Sequence, residues 1–249
     1  MRLLLLGGTR EARNIATALR REAGLSLTVS LARPDRSPAP YGWPVRIGGF
    51  GGDKAYADWL ENTGASAVLD ATHPFAVRMG QRTMALTDDL GIEYVRFLRP
   101  SWMPVDGDRW TFVNLPEEVE EKIPEGATVF LATGQNDVEH FGRLTGRRVL
   151  CRVRGAPTQP FPFEDGRFVV GTRPFTVFDE CDFFVREGVD WIVSQNSGGQ
   201  GSWPKIEAAR ELGLPVAMIR RPPQPDGLKI NTVAEAISWV RRRLRESAE

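Results

Sequence analysis

The sequence predicts an α/β protein made of two mainly parallel sheets, each covered by helices. Three observations predict it. A short apolar run at the start breaks at two glycines into a helical pattern, strand-like and helix-like segments alternate along the chain, and a weak repeat relates its two halves. With 249 residues there is room for one large domain or two small ones, and 41% apolar content supplies a sizeable core.

The opening run, Leu3-Leu4-Leu5-Leu6, is too short to cross a membrane and fits a strand buried on both faces. Gly7 and Gly8 let the backbone turn tightly and approach a ligand. Thr9 can cap a helix whose N-terminal N–H groups and dipole favour an anion. Ala12, Ile15, Ala16 and Leu19 then recur at helical spacing. Gly7-Gly8-Thr9-Arg10-Glu11-Ala12 departs from G-x-G-x-x-G, with Ala12 where the third glycine falls. The turn is therefore either a phosphate site or an ordinary strand-to-helix connection.

Further strands are expected at 26–31, 45–47, 67–69 and 94–98, with helices at 11–22, 54–61 and 75–90. The second half continues with strands at 128–132, 149–153, 191–194 and 216–219. Its helices are expected at 136–144, 175–187, 205–212 and 232–244. Residues 64–70 (GASAVLD) match 188–194 (GVDWIVS), and each segment leads through a polar loop into a helix. Those helices end at Leu90-Gly91 and Leu212-Gly213, and the next strands at Arg99-Pro100 and Arg221-Pro222. The match is a true repeat or a chance likeness of two βαβ units. In either case two Rossmann-like domains are the economical reading: residues 1–110 binding a cofactor, and 111–249 completing a cofactor and substrate crevice. Met103-Pro104, Asp106-Gly107-Asp108 and Pro116 place the boundary within 101–116.

Composition narrows the function. Formal net charge is zero, which disfavours non-specific nucleic-acid binding. No segment has the apolar length of a membrane helix and none reads as a secretion signal, so no membrane association and a cytoplasmic location are expected. Cys151 and Cys181 make neither a disulfide framework nor a metal site. Only Lys54, Lys122, Lys205 and Lys229 are lysines, the other cations being arginines, either through genome composition or because arginine grips carboxylate and phosphate with a two-pronged face.

In open α/β sheets ligands sit beyond the carboxyl ends of the strands. After the second strand an NAD enzyme carries an acid; here the segment reads Ser30-Leu31-Ala32-Arg33-Pro34-Asp35-Arg36. Ser30, Arg33 and Arg36 can serve a 2′-phosphate, which favours NADPH, or they belong to a surface loop. Gly48, Gly49, Gly51 and Gly52 permit close approach to a ligand or form a flexible loop. Asp70-Ala71-Thr72-His73-Pro74 ends another strand, with Pro74 suited to the first turn of a helix. His73 can donate a proton or bond a cofactor; otherwise Asp70 and Thr72 cap the helix and His73 satisfies the backbone. Asn196, Ser197, Gly198, Gly199 and Lys205 form the matching cluster, fit for carboxylates or phosphates. The G-x-S-x-G elbow, the P-loop and a tyrosine followed four residues later by lysine are absent from the chain.

These pieces together resemble the precorrin-6A reductase family of cobalamin biosynthesis. The matching residues are Gly7-Gly8-Thr9-Arg10-Glu11, Asp70 to Ala76, Thr133-Gly134-Gln135, Asn196-Ser197-Gly198-Gly199, Lys205 and Arg221-Pro222. The resemblance implies an NADPH-dependent oxidoreductase that reduces one C=C bond of a tetrapyrrole, precorrin-6A to precorrin-6B. Taken with the residue readings above, which supply Ser30, Arg33, Arg36, Gly48 and Gly49, it gives cofactor contacts at Gly7, Gly8, Thr9, Arg10, Glu11 and Thr72 as well, with His73 as the candidate catalytic residue. Contacts to the polycarboxylate substrate fall to Thr133, Gly134, Gln135, Asn196, Ser197, Gly198, Gly199 and Lys205. A non-catalytic NADP-binding sensor and a nucleotide-sugar transferase are the competing readings.

Overall fold

The computed structural model describes residues 1–34, 41–142, 144–153, 155–171 and 174–247. In chain order the first elements are β1 (Arg2–Leu6), α1 (Arg10–Ala18), β2 (Ser26–Leu31), β3 (Val45–Ile47), α2 (Asp53–Thr63), β4 (Ala67–Asp70), α3 (Val77–Asp89) and β5 (Glu93–Phe97). There follow β6 (Trp110–Val113), β7 (Thr128–Leu131), β8 (Arg148–Val153), β9 (Gly166–Val170), α4 (Val177–Glu187), β10 (Trp191–Gln195), α5 (Pro204–Glu211) and β11 (Val216–Ile219). β12 (Lys229–Ile230) and α6 (Val233–Glu246) close the chain. No helix among the described residues is long and apolar enough to cross a membrane.

Two compact units result, Met1–Pro100 with Pro223–Glu249, and Ser101–Pro222. The first holds a parallel sheet in the order β12-β5-β4-β1-β2-β3. Its apolar opening strand is explained by burial on both faces, since neighbouring side chains point to opposite sides. Leu3 and Leu5 pack with Ile15, Leu19 and Trp239, while Leu4 and Leu6 pack with Tyr56 and Leu60.

The expected second domain of 111–249 is corrected at its C-terminal end. Residues 223–249 return to the first unit because β12 pairs with β5 and α6 packs on α1. Ile230, Ala236, Trp239 and Val240 are buried in the same core as Ile15 and Leu19. Solvating that apolar face would cost more than closing the long connection.

The second unit has the parallel order β6-β11-β10-β7-β8-β9. Phe130, Ile192 and Met218 pack there with Phe183, Phe184 and Ile206. The two repeated segments hold equivalent places: β4 lies beside β1 as β10 lies beside β7. Each follows a glycine, Gly64 or Gly188, that ends the preceding helix at φ near +60°. The helix expected at 136–144 is instead a 3-10 segment, Gln135–Phe141, ending at Gly142. β6, β9 and β12 were not expected from the sequence.

Glu187 fastens the end of α4 to the sheet, accepting from Arg167 Nη2 at 2.7 Å and Arg148 Nη2 at 3.0 Å. The Arg167 hydrogen bond, then that from Arg148, holds its carboxyl below the ordinary value of 4.5 against the opposing effect of burial. A depressed carboxylate stabilises the fold fully above its unfolded pKa, and this contribution is lost as pH falls through the folded value. Glu187→Gln is therefore expected to flatten the fall in thermal stability between about pH 5 and pH 3, measured by calorimetry on both proteins. Parallel curves would remove the ion pairs as a source of acid sensitivity.

Candidate active site

In each sheet the chain winds outward from a central strand in two directions, so the connections diverge between β1 and β4 and between β7 and β10. Loops beyond these switch points leave a natural ligand crevice. In the first unit they are the Gly7–Thr9 turn and the 71–76 segment. Gly7 donates its N–H to Ser30 O at 2.9 Å, and a Cβ on it would come within 3.0 Å of Leu31 Cδ2. A side chain at this position would therefore press on the Leu31 and Val29 side chains of β2. Gly8 has φ +105°, and a Cβ there would meet nothing within 4 Å. The mouth of α1 is open at this glycine, a cradle that fits a pyrophosphate. Thr9 caps α1 by accepting from Ala12 N at 3.1 Å and ties the turn to β4 by donating to Ala71 O at 2.7 Å. Arg10 is exposed, and Glu11 is paired with Arg99 at 2.7 Å. Burial draws Arg99 below its ordinary value although Glu11 opposes it.

At the end of β2, Ser30 is buried and its Oγ accepts from Arg46 Nη1 at 2.8 Å. Arg46 also donates to Gly48 O at 3.0 Å and Gly49 O at 2.9 Å, while Arg82 Nη2 donates to Gly51 O at 2.9 Å. Two arginines therefore fix the glycine-rich loop. Arg33 is exposed just past β2, and Arg36 lies outside the described residues.

The β4 turn rests on a buried charge network. Asp70 and Arg96 are both 0% exposed and form an ion pair. Asp70 Oδ1 accepts from Thr72 N at 2.9 Å and Thr72 Oγ1 at 2.7 Å, and Oδ2 accepts from Tyr94 OH at 3.0 Å. Arg96 donates onward to Thr72 Oγ1 at 2.9 Å, His73 O at 3.2 Å and Gln224 Oε1 at 3.4 Å. Gln224 in turn donates to Pro74 O at 2.9 Å. Burial first, then the Asp70 charge, pushes the Tyr94 phenol upward, so it remains a donor. Phe75 N–H donates to His73 Nδ1 at 3.4 Å. An accepting Nδ1 puts the proton of the neutral ring on Nε2.

In the second unit the switch point is bounded by Thr133–Gln135 and Gln195–Gly199. Thr133 Oγ1 is buried and finds no hydrogen-bond partner among the described residues. Gly134 has φ +90° with open space beside it. Gln135 braces the neighbouring loop, exchanging hydrogen bonds with Thr158 and accepting from Gln159 Nε2 at 3.3 Å. The Asn196 amide is engaged at both ends by one backbone residue: Oδ1 accepts from Trp102 N at 2.8 Å, and Nδ2 donates to Trp102 O at 3.0 Å. Its side chain thus fixes the loop through the Trp102 backbone. Ser197 is buried, and its Oγ donates to Gly198 O at 3.4 Å. Trp102 Nε1 donates to Gly199 O at 3.2 Å. The buried Lys205 donates to Ser202 O at 2.7 Å and lies 5.0 Å from the Trp102 ring centroid. Asp137 accepts from Gln195 Nε2 at 3.1 Å, and burial raises its carboxyl above the ordinary range.

A family model described as precorrin-6x reductase CbiJ/CobK matches residues 2–241. The chain belongs to the CbiJ/CobK family. The precorrin-6A reductase of Rhodobacter capsulatus is 37% identical over 240 residues, covering 96% of this chain and 95% of that one. The cobalt-precorrin-6A reductase of Priestia megaterium is 27% identical over 247 residues, covering 94% and 96%. A solved structure of CobK precorrin-6A reductase has a TM-score of 0.90 at 36% identity, covering 97% of this chain and 96% of that one. The two parallel sheets flanked by helices are thus the CobK fold.

Arg46, Tyr94, Arg96, Trp102 and Gln224 shape the two sites of this CbiJ/CobK chain without belonging to any of its recognisable motifs. A signal for Arg96 did exist: an arginine inside an apolar strand needs a buried acid, and Asp70 ends a similar strand. Arg46 left no such signal, since Val45-Arg46-Ile47 reads as an ordinary half-exposed strand.

Proposed function

We propose that this chain uses NADPH to reduce one double bond of precorrin-6A, giving precorrin-6B. The observation that carries the reading is the open Gly8 turn at the capped N-terminus of α1, beside the charge-braced β4 turn. The α1 amides and Gly8 hold the pyrophosphate, while Ser30 and Arg33 lie toward the ribose. The nicotinamide, when bound, supplies the hydride. Thr72 and His73 flank it, with His73 orienting the ring by donating a hydrogen bond from Nε2–H. The substrate's acetate and propionate groups are assigned to backbone amides at Gly134 and 197–199, the Thr133 hydroxyl and the Lys205 cation.

The test is anaerobic mixing of the protein, NADPH and precorrin-6A. Reduced-nicotinamide absorbance is expected to fall in proportion to macrocycle consumed, whereas NADPH binding without consumption would establish the sensor reading instead. In single turnover, His73→Ala is expected to slow reduction about 100-fold while NADPH affinity stays the same. An unchanged rate would make His73 a backbone brace only.

A further inference from the structure

We propose that Arg46 is the residue that reads the 2′-phosphate of the dinucleotide; this rests on the cofactor site proposed above. In this fold the ribose 2′ position is read at the end of the second strand, by an acid for a hydroxyl or by a nearby arginine for a phosphate. Here β2 ends at Leu31 without an acid, and β3 pairs alongside so that Arg46 stands opposite Ser30. The guanidinium is therefore brought to the tip of β2 by sheet register, not by a loop.

Its geometry is fixed before any ligand arrives. Nη1 is held by Ser30 Oγ and Gly48 O, and Nη2 by Gly49 O. The guanidinium carbon lies 3.6 Å from the Phe50 ring centroid, so one face is covered by an aromatic plane. Phe50 is itself stacked on the buried Tyr56 at 3.9 Å between centroids. A guanidinium has five N–H groups in a rigid fork. The three bonds to protein use both hydrogens of Nη1 and one of Nη2. Nε–H and the second Nη2–H make no hydrogen bond to described residues, which leaves two donors of the guanidinium for phosphate oxygens. Arg33, by contrast, is exposed beyond the strand end.

Binding constants decide the matter without reference to turnover. Calorimetric titrations of NADPH, NADH and 2′,5′-ADP would be compared for the wild type, Arg46→Met, Arg46→Lys and Arg33→Ala. Arg46→Met is expected to weaken NADPH and 2′,5′-ADP by about 10- to 100-fold while leaving NADH unchanged. Arg46→Lys should keep part of the preference, through charge without the fork. Arg33→Ala should narrow the preference less. Equal weakening of all three nucleotides would show that Arg46 acts only by bracing the loop, and would overturn the assignment. So would an undiminished preference in Arg46→Met, or a larger selective loss in Arg33→Ala. A wild-type protein that binds NADH as tightly as NADPH overturns 2′-phosphate reading altogether, and one that binds neither overturns the cofactor site itself.

Discussion

Arg96→Met is expected to lose about 3–5 kcal/mol of folding free energy, the cost of stranding a buried charge. Arg96 and Asp70 are both 0% exposed and bonded to each other. Removing the guanidinium leaves the Asp70 carboxylate with Thr72 and Tyr94 as donors but no counter-charge. His73 O and Gln224 Oε1 lose a donor in the same step. The hole is hard to relieve by movement. A Cβ on Gly80 would already stand 3.1 Å from Asp70 Oδ2 and 3.3 Å from Arg96 Nη1, so α3 lies directly against the pair. Asp70→Asn in the Arg96→Met background should restore part of the loss, because it removes the stranded charge and keeps an acceptor for Thr72. Denaturant unfolding of both single variants and the double variant would measure this coupling. A loss below about 1 kcal/mol for Arg96→Met, as for an exposed pair, would show that water reaches the network.

The same pair shows where sequence reading stops. Backbone-level features were legible. The strands at 26–31, 45–47 and 216–219 have the expected bounds, because apolar residues between turn formers leave few alternatives. The loops that meet at the two switch points were also legible, since each directly follows a recognisable strand. Features that depend on pairing were not. β12 is two residues long and exists because Lys229 and Ile230 pair with Arg96 and Phe97 of β5. β6 sits among the breakers Asp106-Gly107-Asp108 and Pro116, which read as a linker. β9 (Gly166-Arg167-Phe168-Val169-Val170) has no fully buried position, so its pattern does not mark a strand. The return of residues 223–249 to the first unit is a choice between two apolar cores, and local periodicity carries no information on which one is filled.

Side-chain partnership follows the same division. Asn196 and Lys205 were legible as polar groups at a strand end, but their engagement with Trp102 was not. Trp102 is 94 residues before Asn196, and only the folded second unit brings them together. Arg46 and Ser30 meet through β2–β3 register in the same way. Ser30 and Arg46 sit on paired strands, which fix a side chain more firmly than a loop does, whereas Trp102 and Asn196 hold two loops to each other.

Gly8→Val is expected to abolish tight NADPH binding while the protein remains folded. Gly8 sits at φ +105°, and a Cβ there would meet nothing within 4 Å. The substitution therefore meets backbone strain while its Cβ has open space, a destabilisation of about 1–3 kcal/mol. The flanking residues resist any change of turn. Gly7 is bonded to Ser30 O, and Thr9 is bonded to both Ala12 N and Ala71 O. A branched side chain held by that frame occupies the open mouth of α1, where a pyrophosphate would take its amide hydrogen bonds. Losing two such charge-assisted bonds, at about 1.5–3 kcal/mol each, predicts an affinity loss of about 100-fold or more. NADH should suffer as much as NADPH, because both carry the same pyrophosphate. That shared loss separates this turn from Arg46, whose replacement should spare NADH. Calorimetric titration of both nucleotides, with a thermal melt to confirm folding, checks the prediction. A folded Gly8→Val protein that binds NADPH normally would move the phosphate site away from the β1–α1 turn.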